Sequence, residues 1–127
     1  MAAKKRIFVG FAVEDRQARD LLRGQSRLGD CPIEYTDFAV KEPWSSSWKT
    51  QCRQRIKGCD GMIALLSKRV RNADGARWEI QCAIEEEVPV LGVHIHKGDT
   101  YRPPEIPGKG VIAWTWDGIA NFINRLR

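Results

Sequence analysis

The stretch Gly61-Met62-Ile63-Ala64-Leu65-Leu66 decides the fold class of this chain. Six consecutive apolar or small residues without polar alternation are typical of a strand that is covered on both faces, as at the centre of a parallel sheet. A similar short run, Arg6 to Phe11, predicts the first strand. Further strands are predicted at Ile33 to Phe38, Pro89 to Ile95 and Val111 to Trp114.

Helical patterns lie between most of these strands. The first predicted helix, Glu14 to Ser26, carries Ala18, Leu21 and Leu22 at helical spacing. Serine hydroxyls at 45–47 can cap a second helix, and Gly58 is suited to end it. The remaining helices are predicted at Gly75 to Glu87, after a polar loop from Ser67 to Asp74, and at Trp116 to Leu126.

Alternating strands and helices with right-handed crossovers predict an α/β fold with an open parallel sheet. We expect a single domain over residues 1–127, a flavodoxin-like strand order 2-1-3-4-5 and helices on both faces. The segment His96 to Gly110 is rich in proline and glycine. It predicts an irregular loop, rather than a helix, between strands 4 and 5.

Composition narrows the class of protein. The 127 residues include 43% hydrophobic and 29% charged side chains, a globular balance, with a net charge of +5. Scattered basic residues favour a solvated surface over an anionic small ligand, and nucleic acid is the least favoured partner. No apolar run reaches the length of a membrane span, and the basic start precedes too short an apolar segment for a secretory leader. We therefore expect a cytoplasmic protein without membrane contact.

The cysteines and histidines do not predict a metal site. Cys31, Cys52, Cys59 and Cys82 form no CxxC pair, and His94 and His96 are the only histidines. Free thiols in a reducing compartment are the simplest interpretation.

In parallel α/β sheets, ligands bind beyond the carboxyl ends of the strands, where the strand order reverses. Glu79 falls in the first turns of the third predicted helix, at that edge. On a helical wheel it lies just outside the apolar stripe of Ala76, Ile80, Ala83 and Ile84. A half-buried carboxylate beside a cleft is a candidate catalytic group, whereas a solvated glutamate near the helix dipole is the alternative.

Other sites at this edge are weaker or excluded. Trp44 and Trp48 lie four residues apart at the start of the second predicted helix, with Trp78 beside Glu79. They are either packing residues or aromatic walls for a nucleobase or nicotinamide ring.

The chain lacks GxGxxG, GxxxxGK[ST] and GxSxG motifs. A phosphoacceptor receiver domain is excluded as well, because strand 3 ends in Leu66-Ser67 and not in an aspartate.

Three composite motifs resemble a known family. Residues 6–11 followed by Glu14-Asp15 look like the first strand of TIR domains. The blocks 41–61 and 75–93 are similar to the TIR-like proteins of bacterial Thoeris anti-phage systems. The resemblance covers about residues 6–96.

This resemblance implies a TIR fold and cleavage of the N-glycosidic bond of NAD, with NAD as substrate and no cofactor. The product would be a cyclic ADP-ribose isomer that activates a separate effector protein. The family's catalytic glutamate maps onto Glu79. Phe11 and Ala12 would line the nicotinamide end, and further substrate contacts are predicted at Asp37, Trp44, Trp48 and Ser67.

The same resemblance implies that activity needs a phage-derived trigger or assembly into a homo-oligomer. One departure concerns Gly10, which stands where TIR domains often have serine. Two alternatives remain: a non-enzymatic TIR-like interaction module, and a domain that binds a nucleotide without cleaving it.

Overall fold

The computed structural model describes residues 5–28, 33–38, 41–106 and 110–126. Five strands form one parallel sheet: β1 (Lys5–Gly10), β2 (Ile33–Thr36), β3 (Gly61–Leu66), β4 (Val90–His94) and β5 (Val111–Ala113). Their order is β2-β1-β3-β4-β5, with every neighbouring pair parallel. The predicted fold class and strand order are confirmed.

Four α-helices cover the two faces of the sheet: α1 (Arg16–Leu28), α2 (Ser46–Lys57), α3 (Asp74–Glu85) and α4 (Trp116–Asn124). Side-chain hydroxyls cap two of them, because Ser45 Oγ accepts from the amide of Trp48 and Thr115 Oγ1 accepts from the amide of Gly118. The predicted hydroxyl cap and the helix end at Gly58 are both found for α2.

All six residues of β3 are buried. Met62, Ala64 and Leu66 belong to the apolar cluster that α2 and α3 close, and Ile63 and Leu65 belong to the cluster on the α1 and α4 face. Side chains alternate between the faces of a strand, so an uninterrupted apolar run is required where both faces are covered. The prediction of a doubly buried central strand is confirmed.

Two predicted buried residues are exposed. Leu21 is 66% exposed, because α1 buries the narrower row of Ala18, Leu22 and Ser26. Ile84 is 41% exposed, whereas Cys82 is buried. The helix α3 packs against α2 as well as the sheet, which turns its buried arc toward α2. The predicted apolar stripe was therefore wrong at Ile84.

The connections also differ in detail. The predicted loop from Ser67 to Asp74 contains a short 3-10 helix, Lys68–Asn72. Between β4 and β5, residues 95–106 contain no helix, in agreement with the predicted irregular loop. No described helix is both long and apolar enough to cross a bilayer.

Cys31 lies outside the described residues, and Cys52, Cys59 and Cys82 are free thiols.

Leu65 and Leu21 offer a matched test of this packing. We expect Leu65→Ala to lower the free energy of unfolding by about 2–5 kcal/mol, because it leaves a cavity in the fully covered centre of the sheet. Leu21→Ala removes the same atoms from an exposed position and should change it by less than about 0.5 kcal/mol. Urea denaturation measures both values, and similar losses would contradict the described burial.

Candidate functional site

The carboxylate of Glu79 is fully buried, at 0% exposure. The prediction of a half-buried glutamate at the margin of the apolar stripe was therefore wrong in degree. Its Oε2 lies 4.0 Å from Cys52 Sγ on α2, and its Oε1 lies 3.6 Å from where a Cβ on Gly10 would stand. Glu79 is thus enclosed between α2, α3 and the carboxyl end of β1.

Lys41 covers this carboxylate. Its Nζ lies 3.0 Å from both Glu79 oxygens and also donates to the carbonyl oxygen of Phe38 at 2.7 Å. The ammonium stands 4.4 Å from the ring centroid of Phe11, and the Lys41 side chain is only 6% exposed. Sequence reasoning missed Lys41, which comes from the segment between β2 and α2, where no periodic pattern marks one residue as inward-facing.

Burial raises the pKa of Glu79 to about 8, although the Lys41 ammonium acts in the opposite direction. Desolvation also raises the pKa of the neighbouring Cys52 thiol, and that of Cys82 to about 11. Both thiols are therefore protonated at neutral pH and are poor nucleophiles. Glu79 is the titratable group of this pocket whose charge changes near physiological pH.

Two glycines at this site leave space that neighbouring side chains fill. A Cβ on Gly75 would stand 2.7 Å from Lys41 Cβ and 2.8 Å from Lys41 Cδ, so the lysine stem can lie against α3 only because position 75 lacks a side chain. A Cβ on Gly10 would stand 2.3 Å from Met62 Cε. The methyl group of Met62 thus occupies the space that the serine common in TIR domains would need.

A second charged group, Arg19, links two of the predicted substrate contacts, Phe11 and Asp37. Phe11 also borders the Lys41–Glu79 pair. The guanidinium of Arg19 stacks on Phe11 at 5.3 Å and donates to both oxygens of Asp37, at 2.9 and 3.0 Å. Arg23 donates to Asp37 as well, at 3.0 Å. Asp37 follows the end of β2 and is held by two arginines, so its oxygens are already largely occupied.

Ser67 belongs to a separate network at the same sheet edge. Its hydroxyl donates to the buried carboxylate of Asp15, which also accepts from Arg69 Nη1 at 2.7 Å. Asp15 lies in the 3-10 turn after β1, and Ser67 follows β3. This network therefore joins the two loops that flank the point where the strand order reverses, and sequence reasoning had not singled out Asp15.

No polar contact joins the remaining predicted residues to Glu79 in the described part of the chain. Trp44 is 79% exposed and lies in the turn before α2, not in the helix as predicted. Trp48 is buried between Phe38 and Trp78, with ring centroids 5.9 and 5.3 Å away. Ala12 is buried in the core, and its carbonyl accepts from the amide of Asp15 at 2.8 Å. Packing thus accounts for the contacts of Trp48.

The described residues hold no cluster of three or more histidine, cysteine, aspartate or glutamate side chains with metal-binding geometry. The functional groups at this edge are the shielded carboxylate of Glu79 and the ammonium of Lys41 beside it. A carboxylate in such surroundings can stabilise a cationic centre, because the low dielectric strengthens its field.

Comparison with known proteins places these features in a family. The family model described as "Thoeris protein ThsB, TIR-like domain" matches residues 8–100, which include Glu79 and Lys41. No curated protein matches the chain.

Among the similar solved structures, the first one below supports the fold alone, and the other two are reported only as similarities. A 3-dehydroquinate dehydratase-like protein from Bifidobacterium longum is 13% identical, with a TM-score of 0.52 over 98% of this chain and 95% of that one. The glutaminase domain of Trypanosoma brucei CTPS with bound acivicin is 22% identical, with a TM-score of 0.46, and the match covers 73% of this chain but 37% of that one. A diflavin flavoprotein A3 from Nostoc sp. is 16% identical, with a TM-score of 0.44 over 98% and 73%.

Gly75→Ala tests the close approach of Lys41 to α3. Helix propensity alone predicts that alanine is more stable than glycine by up to about 1 kcal/mol, as we expect for Gly24→Ala in α1, where nothing stands within 4 Å. At position 75 the contact with Lys41 should reverse the sign, so we expect a loss of about 1 kcal/mol or more. Urea denaturation compares the two, and a gain at both positions would contradict the described packing.

The raised pKa of Glu79 predicts a pH-dependent stability. Between about pH 4.5 and 8 the folded chain keeps a proton on Glu79 that the unfolded chain loses, so this carboxyl group stabilises the fold less as pH rises. We expect the unfolding free energy of the wild type, minus that of Glu79→Gln, to fall with pH across this range, by at most about 1.4 kcal/mol per unit. Denaturation at several pH values measures it. A flat or rising difference would mean that Lys41 keeps Glu79 ionised.

Proposed function

The chain belongs to the Thoeris ThsB TIR-like family, a module of anti-phage defence, and from this premise we propose that it cleaves NAD at the nicotinamide N-glycosidic bond. The observation that carries the proposal is the buried Glu79 carboxylate at the carboxyl edge of the sheet, beside β1. Ligands of open α/β sheets bind at this edge.

One carboxylate suffices for this reaction. The nicotinamide of NAD leaves as a neutral molecule from a cationic ring, so its departure needs no proton. The bond between C1′ and the ring nitrogen breaks, both electrons go to the nitrogen, and positive charge develops at C1′. In its ionised form, which becomes the main form only as the pH rises past about 8, Glu79 stabilises that charge and orients the ribose hydroxyls, a contribution of several kcal/mol. Two-carboxylate glycosidases differ because their leaving group must be protonated.

Access to Glu79 requires a change at Lys41. The carboxylate has no exposed surface, and Lys41 bridges both of its oxygens. A ribose reaches Glu79 only when the segment that carries Lys41 moves aside, which then also uncovers the ring of Phe11 for the nicotinamide. This closed arrangement supports the proposal that a phage-derived trigger or assembly into a homo-oligomer precedes turnover.

The fate of C1′ decides the product. Water would yield ADP-ribose, whereas attack by a nucleophile of the same molecule yields a cyclic ADP-ribose isomer. A site that excludes water favours cyclisation, and α2 and the end of β1 still shield Glu79 after Lys41 has moved, which supports that outcome. We propose the cyclic isomer as a diffusible messenger for a separate effector protein.

The secondary substrate contacts remain predictions of differing strength. Phe11 stands beside the Lys41 ammonium, and Ala12 follows it directly. Asp37 and Ser67 already hold partners, so contact with substrate would need those partners to rearrange. Exposed Trp44 is free to close over a bound ring if the segment between β2 and α2 moves, whereas buried Trp48 acts by shaping the pocket wall.

Glu79→Gln tests the proposal directly. At high protein concentration, and with lysate from infected cells as the source of a trigger, we expect the wild type to release nicotinamide and a cyclic ADP-ribose mass. The variant should lose at least about 100-fold in rate, because the charge that stabilises C1′ is gone. Glu85→Gln is the matched control: it removes an exposed carboxylate from the same helix and should retain activity. Mass spectrometry identifies the products.

Three outcomes are distinguishable. Equal activity in the wild type and Glu79→Gln would remove Glu79 from the mechanism. Saturable NAD binding without product would favour a nucleotide-binding domain. If the wild type neither binds nor cleaves NAD with lysate present, the enzyme proposal is contradicted and the interaction module is favoured.

A further inference from the structure

A shallow cavity of about 480 Å³, wide open to solvent, lies across α3 from Glu79. Arg77 lies two residues before Glu79, or about 200° away around the helix. Its guanidinium points toward the loop between β4 and β5, where it reaches Glu105 at 3.5 Å. The cavity is lined by six residues from α3, the preceding 3-10 helix and that loop: Arg71, Arg77, Thr100, Tyr101, Arg102 and Pro104.

Positive charge dominates the cavity. Three guanidiniums line it, and among the described residues their one ion pair is the 3.5 Å contact between Arg77 and Glu105. Within the described part of the chain, neither Arg71 nor Arg102 has a carboxylate at ion-pair distance. The protein itself therefore leaves the exposed guanidiniums of Arg71 and Arg102 without a carboxylate partner there. Beside them, Arg77 Nε and one carboxylate oxygen of Glu105, Oε2, are buried without a partner in the same part of the chain.

The cavity wall is held in place by contacts that do not use these charges. His94 at the end of β4 pairs through Nε2 with the carbonyl oxygen of Tyr101 at 2.8 Å, and Ile106 is buried in the core. The guanidinium of Arg71 lies over the ring of Tyr101, 5.2 Å from its centroid. A loop anchored at both ends can present Thr100 and Arg102 in a defined geometry, as anion sites require.

We propose that this cavity is a second ligand site, which binds a phosphate or pyrophosphate group. Planar guanidiniums match phosphate oxygens in bidentate hydrogen bonds, and the Thr100 hydroxyl adds an uncharged donor. The irregular loop that replaces a crossover helix between β4 and β5 creates the site. The group comes either from free pyrophosphate or from the diphosphate of a nucleotide. Because α3 separates the cavity from Glu79, the site does not depend on the reaction proposed above.

Inorganic pyrophosphate is the first probe, and calorimetry at low and at physiological ionic strength measures its binding without any turnover. We expect the double variant Arg71→Gln/Arg102→Gln to bind at least about tenfold more weakly than the wild type, because each arginine contributes charge-assisted hydrogen bonds. The matched control Arg16→Gln/Arg125→Gln removes the same charge from exposed positions outside the cavity and should change affinity by less than about twofold. All four substituted positions are solvent-exposed, and thermal unfolding checks that each variant folds.

Glu79→Gln separates this site from the one proposed for NAD, and we expect it to bind pyrophosphate like the wild type. ADP-ribose identifies the source: arginine-dependent binding tighter than that of pyrophosphate indicates a nucleotide, and equal binding indicates the free anion. Three results would overturn the proposal. They are unchanged affinity in the cavity variant, an equal loss in the control, and a loss confined to Glu79→Gln.

Discussion

The contact between Lys41 and Glu79 is the constraint around which this edge of the protein is built. A carboxylate without solvent contact is strongly disfavoured unless a charge or hydrogen bonds compensate it. Lys41 supplies both, and its own ammonium is satisfied by the Phe38 carbonyl and the Phe11 ring. The missing side chain at Gly75 lets the lysine stem reach this position. Three separated parts of the chain, namely Phe11, residues 38–41 and α3, thus converge on one buried pair.

Much of the fold was predictable, because the deciding signals are local. The apolar run of β3, the serine cap of α2 and the glycine at its end each act within a few residues. Errors arose where packing between distant elements decides the outcome. Ile84 is exposed because α3 turns its buried arc toward α2, and Leu21 is exposed because α1 covers the sheet with a narrower row.

The candidate site was predictable to a smaller extent. Glu79 could be located because a helix that follows a central strand must begin at the ligand-binding edge, and the spacing then orients the side chain. Lys41 could not be found, since it meets Glu79 across 38 residues and lies outside any helix or strand. Asp15 was missed for the same reason: its pairing with Ser67 spans 52 residues and follows no repeat.

The sheet narrows toward both margins, from six residues in β1 and β3 to four in β2 and three in β5. A strand at the margin leaves backbone donors and acceptors that another chain can pair with. Short margins offer few such groups, and Glu34 adds an exposed charge to β2, next to exposed Arg6 on the neighbouring strand β1. The fold therefore resists growth by strand addition, so that copies of this chain would meet through helices and loops rather than through a continuous sheet.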